Sequence, residues 1–510
     1  MNGASSLFAT LADCGVTACF ANPGTTELQL VAAMADEPIT PILTLHENVA
    51  TGAADGYGRV ARAPACTLLH LGPGLANGIA NLHNARRART PLINLVGDHP
   101  TWHTPSDPPL NMPIQKLAAC ASDWVRSSEE SSALGRTAAA AWQAATARDG
   151  QVATLIVPAD HQEGIGITQS KPDRIPHELI DQAVVDDVRA ASCRTRTAWL
   201  LGGQALTSRG LALALRASAK LGATLLSELF PAVLERGGSL PNVQPVPYWP
   251  DKAIELLGQF ETVVLVGTSE PVSMFGHDFQ QSRLIPSTAR VISLASPQQN
   301  ALEALQALTD ETSKMPSLPT GSRSRAGGPV TAETLALAVG LALPENAIVV
   351  LEAVSGSAAF RNLAVSLPQF TQLGLTGGAI GQGLPNALGA AIAAPDRPVI
   401  CLQADGAGLY SVQALWSMAR HGCNVTVVVY SNRSYNILRI EGDKNRIPKS
   451  DAFSALTSLD HPPIDWALLA KGLGVPSWTV DRAEDLSKLL SEVVSEPGPK
   501  LIEAKMSVAT

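Results

Sequence analysis

Short runs of Val, Ile and Leu alternate along this chain with longer stretches rich in Ala and Gly, and that alternation leaves few folds open. An apolar run too short for a helix, then a turn, then a stretch of helical composition is the pattern of a βα unit, and a series of such units closes on parallel sheets covered by helices. The expected strands of the first third are Ala18 to Ala21, Ile42 to Leu45, Cys66 to Leu71, Leu92 to Val96 and Thr154 to Val157, and the turn signals NPGT, LGPG and GDHP follow three of them. The middle third supplies Ala198 to Leu201, Val263 to Val266 and Val291 to Leu294; the last third supplies Ile348 to Leu351, Val399 to Leu402 and Val425 to Tyr430, with helices expected over Ile380 to Ala394 and Val412 to His421. Two stretches break the pattern. Thr168 to Glu178 is polar and contains Pro, and Ser313 to Pro329 (SKMPSLPTGSRSRAGGP) is of low complexity, so both read as linkers. The expected architecture is α/β, with three doubly wound parallel-sheet domains over residues 1–167, 180–312 and 328–510.

Bulk properties agree with that organisation and exclude several function classes. A chain of 510 residues is too long for one core, and 45% hydrophobic against 16% charged residues, with 41 Gly, suits a compact protein with many tight turns. The net charge of -8 carries no basic block, so nucleic acid has no electrostatic footprint to bind. The seven Cys are scattered without any CxxC, which predicts a reducing compartment and no zinc site. The start MNGASSLFATLADCG lacks a basic n-region, and no long uncharged apolar run follows, so a cytoplasmic protein without a membrane partner is expected.

The stretch QADGAGLYSVQALWSMARHGCNVTVVVYSNRS, Gln403 to Ser434, places a lone Asp after one apolar run and a lone Asn after the next. If both runs are parallel strands joined by one right-handed crossover helix, Asp405 and Asn432 converge at the same sheet edge. A carboxylate and an amide carbonyl are hard oxygen ligands, which favours Mg²⁺ or Ca²⁺; Mg²⁺ held by so few side chains completes its shell with phosphate oxygens. The turn Asp405-Gly406-Ala407-Gly408 precedes a helix whose amino end offers free N–H groups to a diphosphate. Helix capping by Asp405 and turn formation by Asn432 would produce the same residues at lower specificity.

The segment ADGAG through SNRSY resembles the thiamine diphosphate signature of the family that includes acetolactate synthase, benzoylformate decarboxylase and pyruvate decarboxylase. The resemblance implies that Asp405, the Asn432 side chain and the Ser434 carbonyl bind Mg²⁺, and that Gly406, Ala407, Tyr435 and Asn436 border the diphosphate. Ala404 and Ser431 stand where the family carries its first Gly and first Asn, and neither replacement removes a ligand. Upstream, LTGGAIGQGLPNALGAA (Leu375 to Ala391) resembles the aminopyrimidine-gripping segment. It implies that the Gly378 carbonyl accepts from the 4'-amino group and that Ile380 is the wedge beneath a bent cofactor; without the downstream signature the same residues read as a strand-to-helix turn with a packed Ile.

In TLHENVATGAADGYGRVAR, Glu47 follows an expected strand and opens an Ala/Gly-rich helix, where a Glu also complements the helix dipole. The resemblance implies a sharper role, in which Glu47 protonates N1' of the pyrimidine. The loops NPGTTE (Asn22 to Glu27) and LHLGPGLANG (Leu69 to Gly78) lie at strand ends, and the family match makes Pro23, Gly24 and Thr25 cofactor neighbours, with Thr25 also facing substrate. His70 matches a His of benzoylformate decarboxylase that acetolactate synthases do not typically carry, and a His there can move protons near neutral pH. His277, in MFGHDFQ, lies near the position of that enzyme's second active-site His, while His99 and His103 have no assigned role. Ile437 and Leu438 are expected to wall an apolar substrate pocket.

The resemblance covers nearly the whole chain. It implies a pyrimidine-binding domain, a middle domain and a diphosphate-binding domain, with the cofactor between the first domain of one subunit and the third of another in a homodimer or homotetramer. The implied activity is decarboxylation of a 2-oxo acid through a C2 enamine, which is then protonated to an aldehyde or joined to an aldehyde or second 2-oxo acid. A 2-oxo acid decarboxylase or carboligase is preferred over an acetolactate synthase catalytic subunit because of His70, the short length and the lack of an obvious flavin segment. A non-catalytic cofactor-binding relic is the alternative of another class, and the joint presence of Glu47, Ile380, Asp405 and Asn432 argues against it.

Overall fold

A computed structural model describes residues 1–276, 281–309, 326–363 and 367–507. They form two compact bodies, one of residues 1–175, 326–363 and 375–507, the other of residues 176–276, 281–309 and 367–374. The first body opens with a parallel sheet of β1 (Ala18–Asn22), β2 (Thr40–Leu43), β3 (Ala65–Leu69), β4 (Leu92–Asp98), β5 (Trp124–Ser127) and β6 (Val152–Pro158), in the order β2-β1-β3-β4-β6-β5. Helices Gly3–Asp13 and Leu134–Ala145 bury Phe8, Leu11 and Trp142 on one face. Helices Glu47–Ala61 and Leu71–Ala88 pack together on the other.

The second body holds β7 (Thr197–Leu201), β8 (Thr224–Ser227), β9 (Val233–Arg236), β10 (Gln244–Pro245), β11 (Thr262–Val266) and β12 (Arg290–Ala295). Its parallel sheet runs β10-β8-β7-β11-β12. In the C-terminal part of the first body, β13 (Ala347–Glu352), β15 (Val399–Ala404), β16 (Val425–Ser431), β17 (Ser477–Val480) and β18 (Lys500–Lys505) are parallel in the order β17-β18-β16-β15-β13. The intervening β14 (Phe370–Gly374) belongs to the second body and pairs antiparallel with β9. The α/β class with three sheets is therefore as expected. Every residue of β3, β13 and β16 is buried, as strands covered on both faces require. Among the described residues no helix is long and apolar enough to cross a membrane.

Differences from the sequence reading lie at element ends and in strands it does not name, β5, β8, β9, β10, β14, β17 and β18. Strand β2 ends at Leu43 and not Leu45, and β3 ends at Leu69 because His70 caps the next helix and Leu71 turns left-handed, with φ 55°. The helix expected from Ile380 starts at Gly383, which leaves Ile380 in the preceding loop. Strand β18 (KLIEAK) escaped notice because it carries charges, yet it is almost wholly buried: Glu503 accepts from Ser431 Oγ at 3.0 Å, and Lys500 donates to Asn424 Oδ1 at 3.3 Å. The first linker, Thr168 to Glu178, lacks helix or strand; most of the second lies outside the described residues.

The seam that matters most to function joins helices Glu47–Ala61 and Gly383–Ala393. A Cβ on Gly56 would fall on the Asn386 carbonyl oxygen, and one on Gly389 would fall on the Ala53 carbonyl oxygen, so the two backbones are in direct contact. The fully buried Asp55 carboxylate spans the seam. It accepts from Arg59 (2.9 and 2.6 Å), Thr90 Oγ1, Gln382 Nε2 (2.8 Å) and Asn386 Nδ2 (3.3 Å). Gly389→Ala is expected to push the helices apart at a cost of about 1–3 kcal/mol, the usual price of overpacking. Gly472→Ala, whose methyl would meet nothing within 4 Å, should leave the melting temperature unchanged or slightly raised. Equal melting temperatures for the two variants would show that the seam tolerates a methyl group.

Candidate functional site

The N-terminal sheet reverses its strand order between β1 and β3, and a parallel sheet opens a crevice at the carboxyl ends of its strands at such a point. Asn22 ends β1, Glu47 opens the helix after β2, and His70 follows β3 directly. The Glu47 carboxylate is buried and accepts from Asn22 Nδ2 at 3.1 Å and Asn77 Nδ2 at 3.0 Å. Gly74, one turn into the His70 helix, brings the two candidates together: a Cβ there would sit 3.4 Å from Glu47 Oε1 and 3.5 Å from His70 Cβ. A side chain at position 74 would fill the space that both border.

His70 has a carboxylate partner that sequence reasoning missed. Glu27 Oε2 lies 2.8 Å from His70 Nδ1, and Glu27 is wholly buried while the His70 side chain is 24% exposed. Glu27 is fixed in turn by Gly24 N (2.7 Å) and Thr26 Oγ1 (2.6 Å). With a carboxylate at Nδ1 the proton resides there, so Nε2 is the nitrogen left to act on a guest. Glycines make the arrangement fit: a Cβ on Gly24 would land on the His70 ring, and one on Gly97 would land on the Glu27 carboxylate. The signal was present in NPGTTE, where a Glu three residues after a Gly closes a helical turn, but nothing local says that the turn faces a His 43 residues on. Pro23 and Gly24 are half-buried in this loop, and Thr25 is exposed at its tip.

At the C-terminal sheet, Asp405 and the Asn432 to Ser434 turn meet at the carboxyl ends of β15 and β16. Asp405 Oδ2 accepts from Arg433 N at 2.6 Å, Asp405 Oδ1 from Gly406 N at 2.8 Å, and Asn432 Oδ1 from Ser434 N at 3.0 Å. Asp405 is 3% exposed, and burial pushes its carboxyl up to about 6 against the opposing pull of the backbone N–H groups it accepts from. A buried carboxylate without a cationic partner fits a bound cation, which would return it to the charged form. Among the described residues no group of three or more His, Cys, Asp or Glu side chains could hold a metal ion. The Tyr435 ring lies on Gly406, where a Cβ would come within 2.6 Å of Cε1, and Asn436 Nδ2 reaches Ser355 Oγ at 3.4 Å. Ser431 points into the sheet toward Glu503, which is why its departure from Asn leaves the Asp405–Asn432 pair intact. Ala407 is buried, Ile437 half-buried and Leu438 exposed on the helix that follows.

Between the two sheets, the loop before Gly383 is tied down by the His70 helix. His83 Nε2 bonds the Gly377 carbonyl at 3.1 Å, Asn84 Nδ2 bonds the Ala379 carbonyl at 2.8 Å, and Asn81 Nδ2 bonds the Gly381 carbonyl at 3.3 Å. The two residues the sequence singled out, Gly378 and Ile380, alternate with these pinned carbonyls, and Gly378 adopts φ 79°. Three non-glycine residues with positive φ flank the candidate groups: Leu71 follows His70, Val354 lies just after β13, and Arg433 sits between Asn432 and Ser434. Such conformations persist only where the surroundings enforce them, and they gather at functional sites.

His99 and His103 stack edge to face at 5.7 Å, beside Trp102, in the loop after β4. That loop returns to the site through Met112, which a Cβ on Gly72 would strike. Asp98, at the end of β4, has its carboxyl raised, first by burial and to a lesser degree by the negative Glu27. His277 lies outside the described residues.

Comparison with known proteins places the chain in a family. A family model described as "Thiamine pyrophosphate enzyme, N-terminal TPP binding domain" matches residues 1–122, and its C-terminal counterpart matches residues 357–504. The chain is 43% identical to a Mycobacterium tuberculosis protein provisionally named acetolactate synthase large subunit IlvX, over 99% of this chain and 98% of that protein. It is 26% identical to benzoylformate decarboxylase of Pseudomonas aeruginosa over 96% of both. A solved thiamine diphosphate-dependent 4-hydroxybenzoylformate decarboxylase of Rhodococcus jostii RHA1 superposes with a TM-score of 0.87 at 23% identity, covering 100% of this chain and 99% of that one. The chain therefore belongs to the thiamine pyrophosphate enzyme family, the group that includes acetolactate synthases and benzoylformate decarboxylases.

Proposed function

We propose that this chain is a thiamine diphosphate- and Mg²⁺-dependent enzyme that decarboxylates a 2-oxo acid and releases an aldehyde or joins the fragment to a second carbonyl. Residues 1–167 act as the pyrimidine-binding domain, 180–312 as the middle domain and 328–510 as the diphosphate-binding domain. The observation that carries the reading is the pairing of a buried Glu47 carboxylate with a Glu27-supported His70 around the space above Gly74. When bound, the cofactor supplies the electron sink that lets CO₂ depart. Glu47 holds and returns the proton at N1' of the pyrimidine, while Asn22 and Asn77 keep its carboxylate aimed. Asp405, Asn432 and the Ser434 carbonyl hold Mg²⁺ against the diphosphate, with Gly406, Ala407, Tyr435 and Asn436 around it. Gly378 and Ile380 take the ring, with Pro23, Gly24 and Thr25 beside it. His70 Nε2 would pass a proton to or from the substrate oxygen, and Thr25, Ile437 and Leu438 would border the R group. Acetolactate formation is the carboligase outcome that the 43% identical relative favours.

A second copy of the chain completes the site in this reading. Large apolar side chains surround both halves in the single chain: Leu43 and Leu45 precede Glu47, and Leu409, Tyr410 and Leu438 follow the metal ligands, all at 36% exposure or more. Their burial between copies would join Glu47 of one to Asp405 of the other.

The reading is tested with purified protein, thiamine diphosphate, Mg²⁺ and a panel of aliphatic and aromatic 2-oxo acids, monitored for CO₂ and for aldehyde or ketol. Glu47→Gln is expected to fold and load cofactor, since a helix-start charge contributes only about 0.3–1 kcal/mol, yet to slow exchange of the cofactor C2 proton by orders of magnitude together with turnover. Wild-type exchange in that variant would remove Glu47 from the mechanism.

His70→Ala should retain the cofactor and lose about 10²–10⁴-fold in turnover. Glu27→Gln, which removes the acceptor that orients the His70 ring, should lower turnover by less than His70→Ala while cofactor binding is kept. Wild-type turnover in that variant would reduce Glu27 to a packing role.

The metal half has its own pH signature. The folded carboxyl of Asp405 near 6 stands above its ordinary 3.8, so in the metal-free protein its contribution to stability is present below 3.8 and lost as pH rises through about 6. Metal reverses the preference. Mg²⁺ affinity should hold steady above pH 7 and weaken by up to about tenfold per pH unit below 6, as the proton competes for Asp405. A thermal shift on adding Mg²⁺ and cofactor that is equal at pH 7.5 and pH 5 would exclude Asp405 as a ligand.

A further inference from the structure

Glu352 ends β13, is 2% exposed, and belongs to none of the motifs that mark the family in this sequence. Four N–H donors converge on its carboxylate. Oε1 accepts from Gly381 N at 2.8 Å and Gln382 N at 3.1 Å; Oε2 accepts from Gly383 N at 2.7 Å and from Gln403 Nε2 at 2.9 Å. Burial raises this carboxyl above the usual range, and the four donors oppose that shift. The three backbone donors are consecutive residues, and they follow Ile380 immediately. The fourth comes from Gln403, two residues before Asp405 and wholly buried.

The surroundings show that this contact is built and not incidental. A Cβ on Gly383 would strike Gln403 Oε1 and come within 2.9 Å of Glu352 Cβ, so only glycine lets the chain settle on the carboxylate. Gly381 adopts φ 93°, a backbone conformation that turns two successive N–H groups toward one acceptor atom. On its other side, the Gln382 side chain donates to Asp55 at 2.8 Å, which ties the same turn to the Glu47 helix. The Gly377 and Ala379 carbonyls are taken by His83 and Asn84, and among the described residues the Gly378 carbonyl has no hydrogen-bond partner. The loop is thus clamped before and after the two residues that would meet the ring.

We infer that Glu352 is a positioning residue for the aminopyrimidine: it clamps the turn after Ile380 and, through Gln403, sets that turn in register with the Asp405 end of the site. The inference rests on the proposal that Gly378 and Ile380 receive the pyrimidine. Its consequence is selective. Loss of the clamp loosens the grip on the ring and leaves the diphosphate half, whose donors and ligands lie on Asp405 to Ala407 and Asn432 to Ser434, in place.

Glu352→Gln tests it, because the amide would present N–H to Gly383 N or Gln403 Nε2 in place of an acceptor while keeping the shape of the side chain. Calorimetric titration with Mg²⁺ present would compare thiamine diphosphate with inorganic pyrophosphate as ligands. The expected result is a loss of at least about tenfold in thiamine diphosphate affinity with pyrophosphate affinity changed less than about twofold. Gln403→Leu, which removes one donor of four and keeps the backbone clamp, should fold even if Glu352→Gln does not, and should show a smaller loss with the same selectivity. Equal losses for both ligands, or no loss for either, would overturn the role given to Glu352. Wild-type protein that fails to bind thiamine diphosphate would instead overturn the underlying reading of the site.

Discussion

A carboxylate can stay buried only where N–H groups replace the water it has lost, and three such groups hold this molecule's functional half together. Asp55 gathers Arg59, Thr90, Gln382 and Asn386. Glu27 gathers Gly24, Thr26 and His70. Glu352 gathers Gly381, Gln382, Gly383 and Gln403. Each joins segments far apart in the chain, and each would leave several unpaired donors if it were removed. These acceptors tie down the loops at the strand ends.

Glycine supplies the complementary half of that design. At Gly24, Gly97 and Gly383 a methyl group would collide with His70, Glu27 or Gln403, so the absence of a side chain is what admits the polar partner. At Gly56 and Gly389 the same property lets two helices touch backbone to backbone, and the Glu47 helix thereby becomes one rigid piece with the loop that carries Gly378 and Ile380. A cofactor half-gripped by a moving loop would bind weakly, because ordering the loop would be charged against each binding event. Here the order is already present in the folded chain.

The two halves of the proposed site differ in electrostatic character. Around Glu47 and His70 the neighbours are neutral amides plus one supporting carboxylate, an environment suited to proton traffic. Around Asp405 a buried carboxylate accepts from the backbone N–H groups of Gly406 and Arg433, an environment suited to a cation. The sheet topology keeps these apart in one chain, at the carboxyl ends of β1 and β3 and of β15 and β16 respectively.

By itself the sequence determined the βα rhythm, the buried central strands, the Asp405–Asn432 pair and Glu47 at a helix start, because these depend on local composition and on spacing along the chain. It could point to His70 through resemblance to a family, but not to Glu27, since a Glu in a short turn looks the same whether it faces solvent or an imidazole 43 residues later. Glu352 was equally silent: three of its four donors are backbone N–H groups of Gly381 to Gly383, which leave no letter in a sequence, and the fourth comes from Gln403, 51 residues on. Strand β18 was hidden by charges whose partners, Ser431 and Asn424, come from neighbouring segments of the fold. Only the tertiary structure decided these points, because which buried acceptor meets which distant donor is settled when the sheets and helices pack.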